Sequence, residues 1–96
     1  MDKQEAGGLL SAKLGEYRLL PYPELVARIG SDDHVTFVGA SGVEYQLEVQ
    51  VLWDDNPGGN VRVIGWIDDG GLRAFFPLSN SFIMAPDGTF VGEGSA

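Results

Sequence analysis

The sequence predicts an α+β domain in which a short N-terminal helix packs on a bent antiparallel β-meander of five to six strands. Apolar residues occupy every second position from 43 to 53, and Glu or Gln fills most of the positions between them. This is the period-2 pattern of a strand with one buried and one solvated face. Turn signals rather than helices separate the apolar segments that follow, which favours a meander over a parallel sheet. Because the 43–53 segment is long enough to serve two halves of a sheet, we expect half-barrel curvature.

The segment before the strands predicts a frayed end and then a short helix. Residues 1–8 carry charges, two glycines and no apolar period, so we expect disorder there and a single α+β domain over residues 9–96. Pro23 suits the first turn of a helix and Gly30 its end. A weaker helical face upstream is formed by Leu9, Leu10, Leu14 and Tyr17.

The remaining elements are strands divided by turn residues. We predict strands over 34–38, 43–53, 61–67 and 72–76, and a last short hairpin formed by 82–84 and 89–91. The connections at 39–42, 54–60, 68–71 and 85–88 are rich in Gly, Asp, Asn, Ser or Pro, which favour turn conformations. Pro77 ends the fourth predicted strand or places it at an edge of the sheet.

Composition places the chain among globular proteins of one domain. It has 96 residues, of which 44% are hydrophobic and 21% charged, a balance unlike that of disordered chains. The chain contains no cysteine, so disulfides and thiolate zinc sites are excluded. No apolar run approaches the roughly 20 residues that span a bilayer, and the first residues do not resemble a secretory signal. We expect a cytoplasmic protein without membrane association.

Net charge restricts the class of partner. Fourteen acidic residues against six basic ones give a net charge of −8. Nucleic-acid binding draws its affinity from Lys and Arg, so we expect no nucleic-acid partner. An acidic surface keeps a small protein dispersed, and it can also attract a basic protein partner.

The sequence offers no catalytic constellation. His34 is the only histidine, and general acid-base catalysis needs a partnered group within reach of the transferred proton. Ser41 lacks the flanking glycine pattern of a hydrolase elbow, and neither Gly-Gly pair has a P-loop ending. Glu44 and Glu48 fall on the solvated face of one strand, where carboxylates are common. We therefore expect a protein that is not an enzyme and binds no cofactor.

Four aspartates are expected at one end of a meander, near His34. They are Asp32, Asp33, Asp54 and Asp55. Carboxylate oxygens suit calcium or magnesium, but the spacing of an EF-hand loop is missing. Aspartate is also frequent in turns for conformational reasons. We predict that metal binding here is absent or weak.

The third and fourth predicted strands are apolar on both faces. Ile64 and Trp66 alternate with Val63 in one strand, and Phe75 lies between apolar neighbours in the next. One short helix can cover only one face of a sheet. Barrel closure or the N-terminal segment would cover the second face, or that face is an interaction surface. Our first functional prediction is a small acidic binding module that forms a homodimer, with Ile64, Trp66 and Phe75 at the centre of the interface.

The alternative prediction is a small-molecule-binding protein. Its ligand would occupy an apolar pocket between the sheet and the helix. The aromatic residues expected in the wall of that pocket are Tyr45, Trp53, Trp66 and Phe75.

Overall fold

A computed structural model of the protein describes residues 2–71 and 77–93. Its elements are α1 (Lys3–Arg18), α2 (Tyr22–Ala27), β1 (Asp32–Val38), β2 (Glu44–Trp53), β3 (Val61–Asp68) and β4 (Leu78–Met84). The strands form one antiparallel sheet in the order β1-β2-β3-β4. The predicted α+β class, with helix packed on an antiparallel sheet, is confirmed. Over the described ranges the sheet has four strands, so the expected five to six strands and the half-barrel shape are not confirmed.

Helix α1 includes residues 3–8, which fall in the segment that was predicted to be disordered. It begins at Lys3, and the carboxylate of Asp2 accepts hydrogen bonds from two backbone N–H groups of the first turn, both at 3.0 Å. Such an N-cap stabilises a helix by about 1 kcal/mol. Ala6 is fully buried. Capping and burial together offset the low helix propensity of the two glycines that follow, which the sequence pattern alone does not reveal.

Both helices cover the same face of the sheet. The buried side chains of α1 are Ala6, Leu10, Leu14 and Tyr17, and the sheet contributes Tyr45, Leu47, Val49, Val51, Val61, Val63, Ile67, Phe82 and Met84. Gly65 lies beneath α1, because a Cβ at that position would stand 2.7 Å from Leu10 Cδ1 and 3.2 Å from a Cδ of Leu14. The missing side chain of Gly65 therefore lets α1 approach the middle of the sheet. Among the described helices, none is both long and apolar enough to cross a membrane.

Strand β4 begins before the last segment that the sequence predicts. The predicted strand over 72–76 falls outside the described residues, and β4 is Leu78–Met84. Its first half contains Ser79, Asn80 and Ser81. Because these residues are polar, a search for alternating apolar residues does not predict this part of the strand. The predicted segment 82–84 is its second half. Its expected hairpin partner makes one isolated bridge, between Met84 and Phe90.

Polar contacts fix the second half of α1 to the sheet. The hydroxyl of Tyr17 donates to Asp33 Oδ2 at 2.6 Å, and Lys13 Nζ lies 3.3 Å from the same oxygen. The bond from Tyr17 lowers the pKa of Asp33, while burial and that bond raise the pKa of Tyr17. Tyr17 and Lys13 therefore both stabilise the ionised form of Asp33 on the helix-covered face.

Arg18, the last residue of α1, lies against the C-terminal part of the chain. Its guanidinium carbon is 4.7 Å from the ring centre of Phe82 and 4.9 Å from that of Phe90. These distances are within the range of cation–π attraction. The same guanidinium donates to Glu93 at 2.8 Å. The end of α1 is thus held by an aromatic pair and a carboxylate.

Candidate functional site on the open face of the sheet

The face of the sheet opposite the helices is the candidate site, and we call it the open face. The side chains that alternate with the core point toward it. They are Asp32, His34 and Thr36 of β1, Glu44, Gln46, Glu48, Gln50 and Leu52 of β2, Arg62, Ile64, Trp66 and Asp68 of β3, and Ser79, Ser81 and Ile83 of β4. Neither described helix packs on this face. It is therefore the surface on which a binding partner could lie.

The strand register arranges the open face in rows that cross the sheet. His34 pairs with Glu48, Glu48 with Trp66, and Trp66 with Ser79. Directly opposed residues on one face of an antiparallel pair have Cβ atoms about 4.5–5.5 Å apart. An open groove of about 460 Å³ runs over this row and its neighbours. The rows through Ile64 and Trp66 change from polar at β1 and β2 to apolar at β3.

An apolar patch occupies the half of the open face formed by β3 and its neighbours. We define the apolar patch as Leu52, Ile64, Trp66 and Ile83. Leu52 and Ile83 both pair with Arg62, so each is a diagonal neighbour of Ile64, which stands two residues along β3. Diagonal neighbours on one face are within reach of large side chains. Ile64 and Trp66 are half-buried and Leu52 is 37% exposed, so the patch remains accessible.

Carboxylates dominate the charge of the open face. Glu48 receives a hydrogen bond from Gln50 at 3.1 Å and lies 3.4 Å from His34 Nε2. Arg62 is the one arginine or lysine that the described strands direct to this face, and it already pairs with Asp54, with both contacts between 2.8 and 2.9 Å. The face is therefore acidic around an apolar centre.

One group on the open face has the geometry of a metal site. Asp32, His34 and Glu48 each offer a ligand atom, and these atoms lie within 4.8 Å of one another. Asp32 and His34 are exposed, and Glu48 already accepts the hydrogen bond described above. An imidazole with two carboxylates can bind several divalent cations, yet nothing else around it points to a ligand.

The four aspartates expected near one another are not brought together. Asp33 lies on the helix-covered face and accepts from Tyr17. Asp54 pairs with Arg62 beyond the end of β2, and Asp55 accepts from the backbone N–H of the next residue at 2.8 Å. The prediction that metal binding is absent or weak stays a prediction.

Tyr45 and Trp53 lie on the opposite face from Trp66. Tyr45 is fully buried, and its hydroxyl donates to Glu5 at 2.8 Å. Ser41 donates its hydroxyl to the same carboxylate at 2.6 Å and its backbone N–H at 3.1 Å. The bonds from Ser41 and Tyr45 lower the pKa of Glu5, and burial followed by the bond to Glu5 raises the pKa of Tyr45 to about 12. Tyr45 therefore ties α1 to the sheet.

The expected aromatic pocket between the sheet and the helix is not assembled from the residues named for it. Trp53 packs at the margin of the core, on the face that carries Tyr45. Trp66 projects from the other face, and Phe75 lies outside the described residues. Opposite faces of one sheet cannot line a single cavity. Most of the residues that line the groove beside Trp66 belong to the open face instead.

The predicted site residues did not include two charged residues that the structure places on the open face. Arg62 and Asp68 stand at the two ends of β3, in the same phase as Ile64 and Trp66. That shared phase is the signal that could have found them.

No protein-family model, no curated protein and no solved structure matches this chain. The function must therefore be inferred from the chemistry of the open face.

Proposed function

We propose that this chain is a small acidic interaction module, without enzymatic activity, that self-associates as a homodimer through the open face of its sheet. The observation that carries the proposal is the apolar patch around Ile64 and Trp66, which neither described helix covers. Apolar clusters with a polar rim are typical of protein interaction sites. Large aromatic residues near the centre of an interface commonly contribute most of its binding energy. Trp66 holds that position here.

The shape of the site favours a macromolecular partner over a small ligand. Small-molecule sites bury most of the surface of the ligand inside a concave pocket. The groove beside Trp66 is open, and polar side chains such as the exposed Gln46 and the half-buried Asp68 form part of its wall. A broad, flat partner can contact all of these groups together. A second copy of the same sheet is such a partner.

The proposal also includes a cytoplasmic location and a second class of partner. With a net charge of −8, the module attracts basic protein surfaces at long range. The carboxylates of β1 and β2, among them Asp32 and Glu48, lie beside the apolar patch. They are the groups that a basic partner would meet first.

Light scattering after size-exclusion chromatography tests the homodimer. At about 50 µM, a concentration suited to micromolar affinity, we expect a mass near twice the 10.3 kDa of one chain. Trp66→Glu should give the mass of one chain, because an unpaired charge in a desolvated interface is costly. Ser11→Glu is the matched control, since it adds the same charge on the exposed side of α1.

Two outcomes contradict the proposal in different ways. A monodisperse monomer for the unmodified chain excludes self-association at this concentration. A dimeric Trp66→Glu variant with a native circular dichroism spectrum moves the interface away from the open face. If Ser11→Glu also dissociates the dimer, total charge rather than the apolar patch controls association.

A further inference from the structure

We infer that the two copies pack face to face with their sheets related by a two-fold axis that crosses β3 at Gly65 and runs perpendicular to the strands. This inference rests on the proposed self-association and specifies its geometry. The strands of the two copies then run antiparallel across the interface. The order of charges on the open face supports this arrangement.

The outward-facing residues of β3 complement the same residues of a second copy that runs in the opposite direction. From one end to the other it reads Arg62, Ile64, Trp66 and Asp68, which is a cation, two apolar residues and an anion. A two-fold axis at Gly65 places each residue of this row opposite a residue of the partner. The two opposed residues lie equally far from Gly65, one before it in the chain and one after it. Arg62 therefore faces the partner's Asp68, and Ile64 faces the partner's Trp66. Both ends of the row gain an opposite charge, and the centre is apolar.

The same axis gives complementary pairs on the other strands. Gly65 pairs with Val49 of β2, and Val49 pairs with Asp33 of β1, so the axis crosses these strands at those levels. On β2, Glu48 then faces the partner's Gln50. On β1, Asp32 faces the partner's His34. In these pairs no carboxylate lies directly opposite a carboxylate.

The alternative two-fold axis, parallel to the strands and centred on β3, is electrostatically poor. It would place every residue of the β3 row opposite its own copy, so that Asp68 faces the partner's Asp68 and Arg62 faces the partner's Arg62. Like charges across an interface cost several kcal/mol and are a common means of excluding wrong pairings. The antiparallel arrangement removes both repulsive pairs.

The end pairs are within reach in the antiparallel arrangement. Packed sheets lie about 10 Å apart, with strand directions within about 30° of each other. Arg62 can bridge that distance better than any other side chain of the row. Its pair with Asp54 uses Nε and one terminal nitrogen, and a guanidinium has further N–H donors. Asp68 accepts from the N–H of Gly70 at 2.8 Å, and a carboxylate has additional acceptor positions.

A charge swap tests the facing of Arg62 and Asp68. We expect Arg62→Asp and Asp68→Arg each to raise the dimer dissociation constant about tenfold or more, because each turns two attractive pairs into repulsive ones. The double variant Arg62→Asp/Asp68→Arg restores both pairs and keeps the net charge. Its dissociation constant should return to within about threefold of the unmodified value, as coupled residues do in a double-mutant cycle. Circular dichroism checks that each variant is folded.

Spin labels give a second measurement that does not alter Arg62. The chain has no cysteine, so a nitroxide can be attached at Gln50→Cys or, in a separate sample, at Gln46→Cys. Both positions lie on the outward row of β2, paired with Ile64 and Asp68 of β3. Gln50 stands one residue from the level of Gly65, and Gln46 stands three residues from it. At about 3.4 Å per residue, the antiparallel arrangement makes the label-to-label distance about 10 Å longer for Gln46→Cys than for Gln50→Cys.

The outcomes separate the geometry from the self-association itself. Equal label distances, or a double variant no tighter than the weaker single one, would overturn the antiparallel arrangement while leaving a dimer in place. A monomeric unmodified chain would overturn the proposed function and this inference together. Restored affinity with unequal label distances supports both.

Discussion

Gly65→Ala tests how closely α1 lies on the sheet. The added methyl group would stand 2.7 Å from Leu10 Cδ1 and 3.2 Å from a Cδ of Leu14. Both leucines are buried, so they can give way only by repacking. Overpacking of a core costs about 1–3 kcal/mol. Replacing a strand glycine by alanine also restricts the unfolded chain, which returns about 0.4–1 kcal/mol. We expect a net loss of about 1–2 kcal/mol in the free energy of unfolding.

Gly8→Ala is the matched control for the same added methyl group. Gly8 lies inside α1, and nothing stands within 4 Å of the position of its Cβ. Alanine at an exposed helix position is favoured over glycine by about 0.5–1 kcal/mol. The two substitutions should therefore shift the urea midpoint in opposite directions at one protein concentration, with unchanged slopes. The double variant Leu10→Ala/Gly65→Ala should lose less than the sum of the single losses.

A stabilising Gly65→Ala would refute the close approach of α1. The methyl group would then have entered open space, and the helix could not lie over the middle of β3. If the losses in the free energy of unfolding for Leu10→Ala and Gly65→Ala were additive, the methyl group added at Gly65 would contact a residue other than Leu10.

Two further predictions concern the register of β2 and the dependence of stability on pH. Leu47→Ala should lower the free energy of unfolding by about 2–5 kcal/mol, while Gln46→Ala stays within about 0.5 kcal/mol, because only Leu47 is in the core; equal losses in urea titrations would contradict the register. The pKa of Asp33 is lowered mainly by the hydrogen bond from Tyr17. The ionised Asp33 therefore stabilises the folded state at a pH above the usual carboxyl pKa, and this stabilisation is lost as the pH falls below about 4. Asp33→Asn should therefore weaken the drop in melting temperature on acidification, and an identical drop in both proteins would show that this bond does not contribute.

The strands with strong alternation could be predicted from the sequence, and the polar elements could not. The segment predicted over 43–53 is β2 (Glu44–Trp53), and the one predicted over 61–67 is β3 (Val61–Asp68). Their buried residues repeat with period 2 because one face meets the helices. The start of α1 was missed because its stability depends on a cap and on contacts with residues more than thirty positions away, such as Glu5 with Ser41. Such contacts leave no local pattern.

The sequence predicted which residues of β3 point to the open face, but not which residues of the neighbouring strands lie beside them. Alternation alone placed Ile64 and Trp66 opposite the core residues of β3. The neighbours of Trp66 depend on register, which pairs it with Glu48 and Ser79. Turn lengths and core packing determine that register together. The residues that stand beside Trp66 on the neighbouring strands therefore became visible only in three dimensions.

The contacts of Arg18 give α1 a role in the order of folding. The first turn of α1 can dock once Ser41 and Tyr45 are available, because Glu5 binds both. In the last turn, Tyr17 binds Asp33, only 16 positions away, but Arg18 completes its contacts only when Phe90 and Glu93 are available, and Glu93 follows it by 75 positions. Contacts that are distant in sequence form slowly because a long loop must close first. On the ribosome, α1 would thus complete its contacts with the sheet only after the residues that follow β4 have been synthesised.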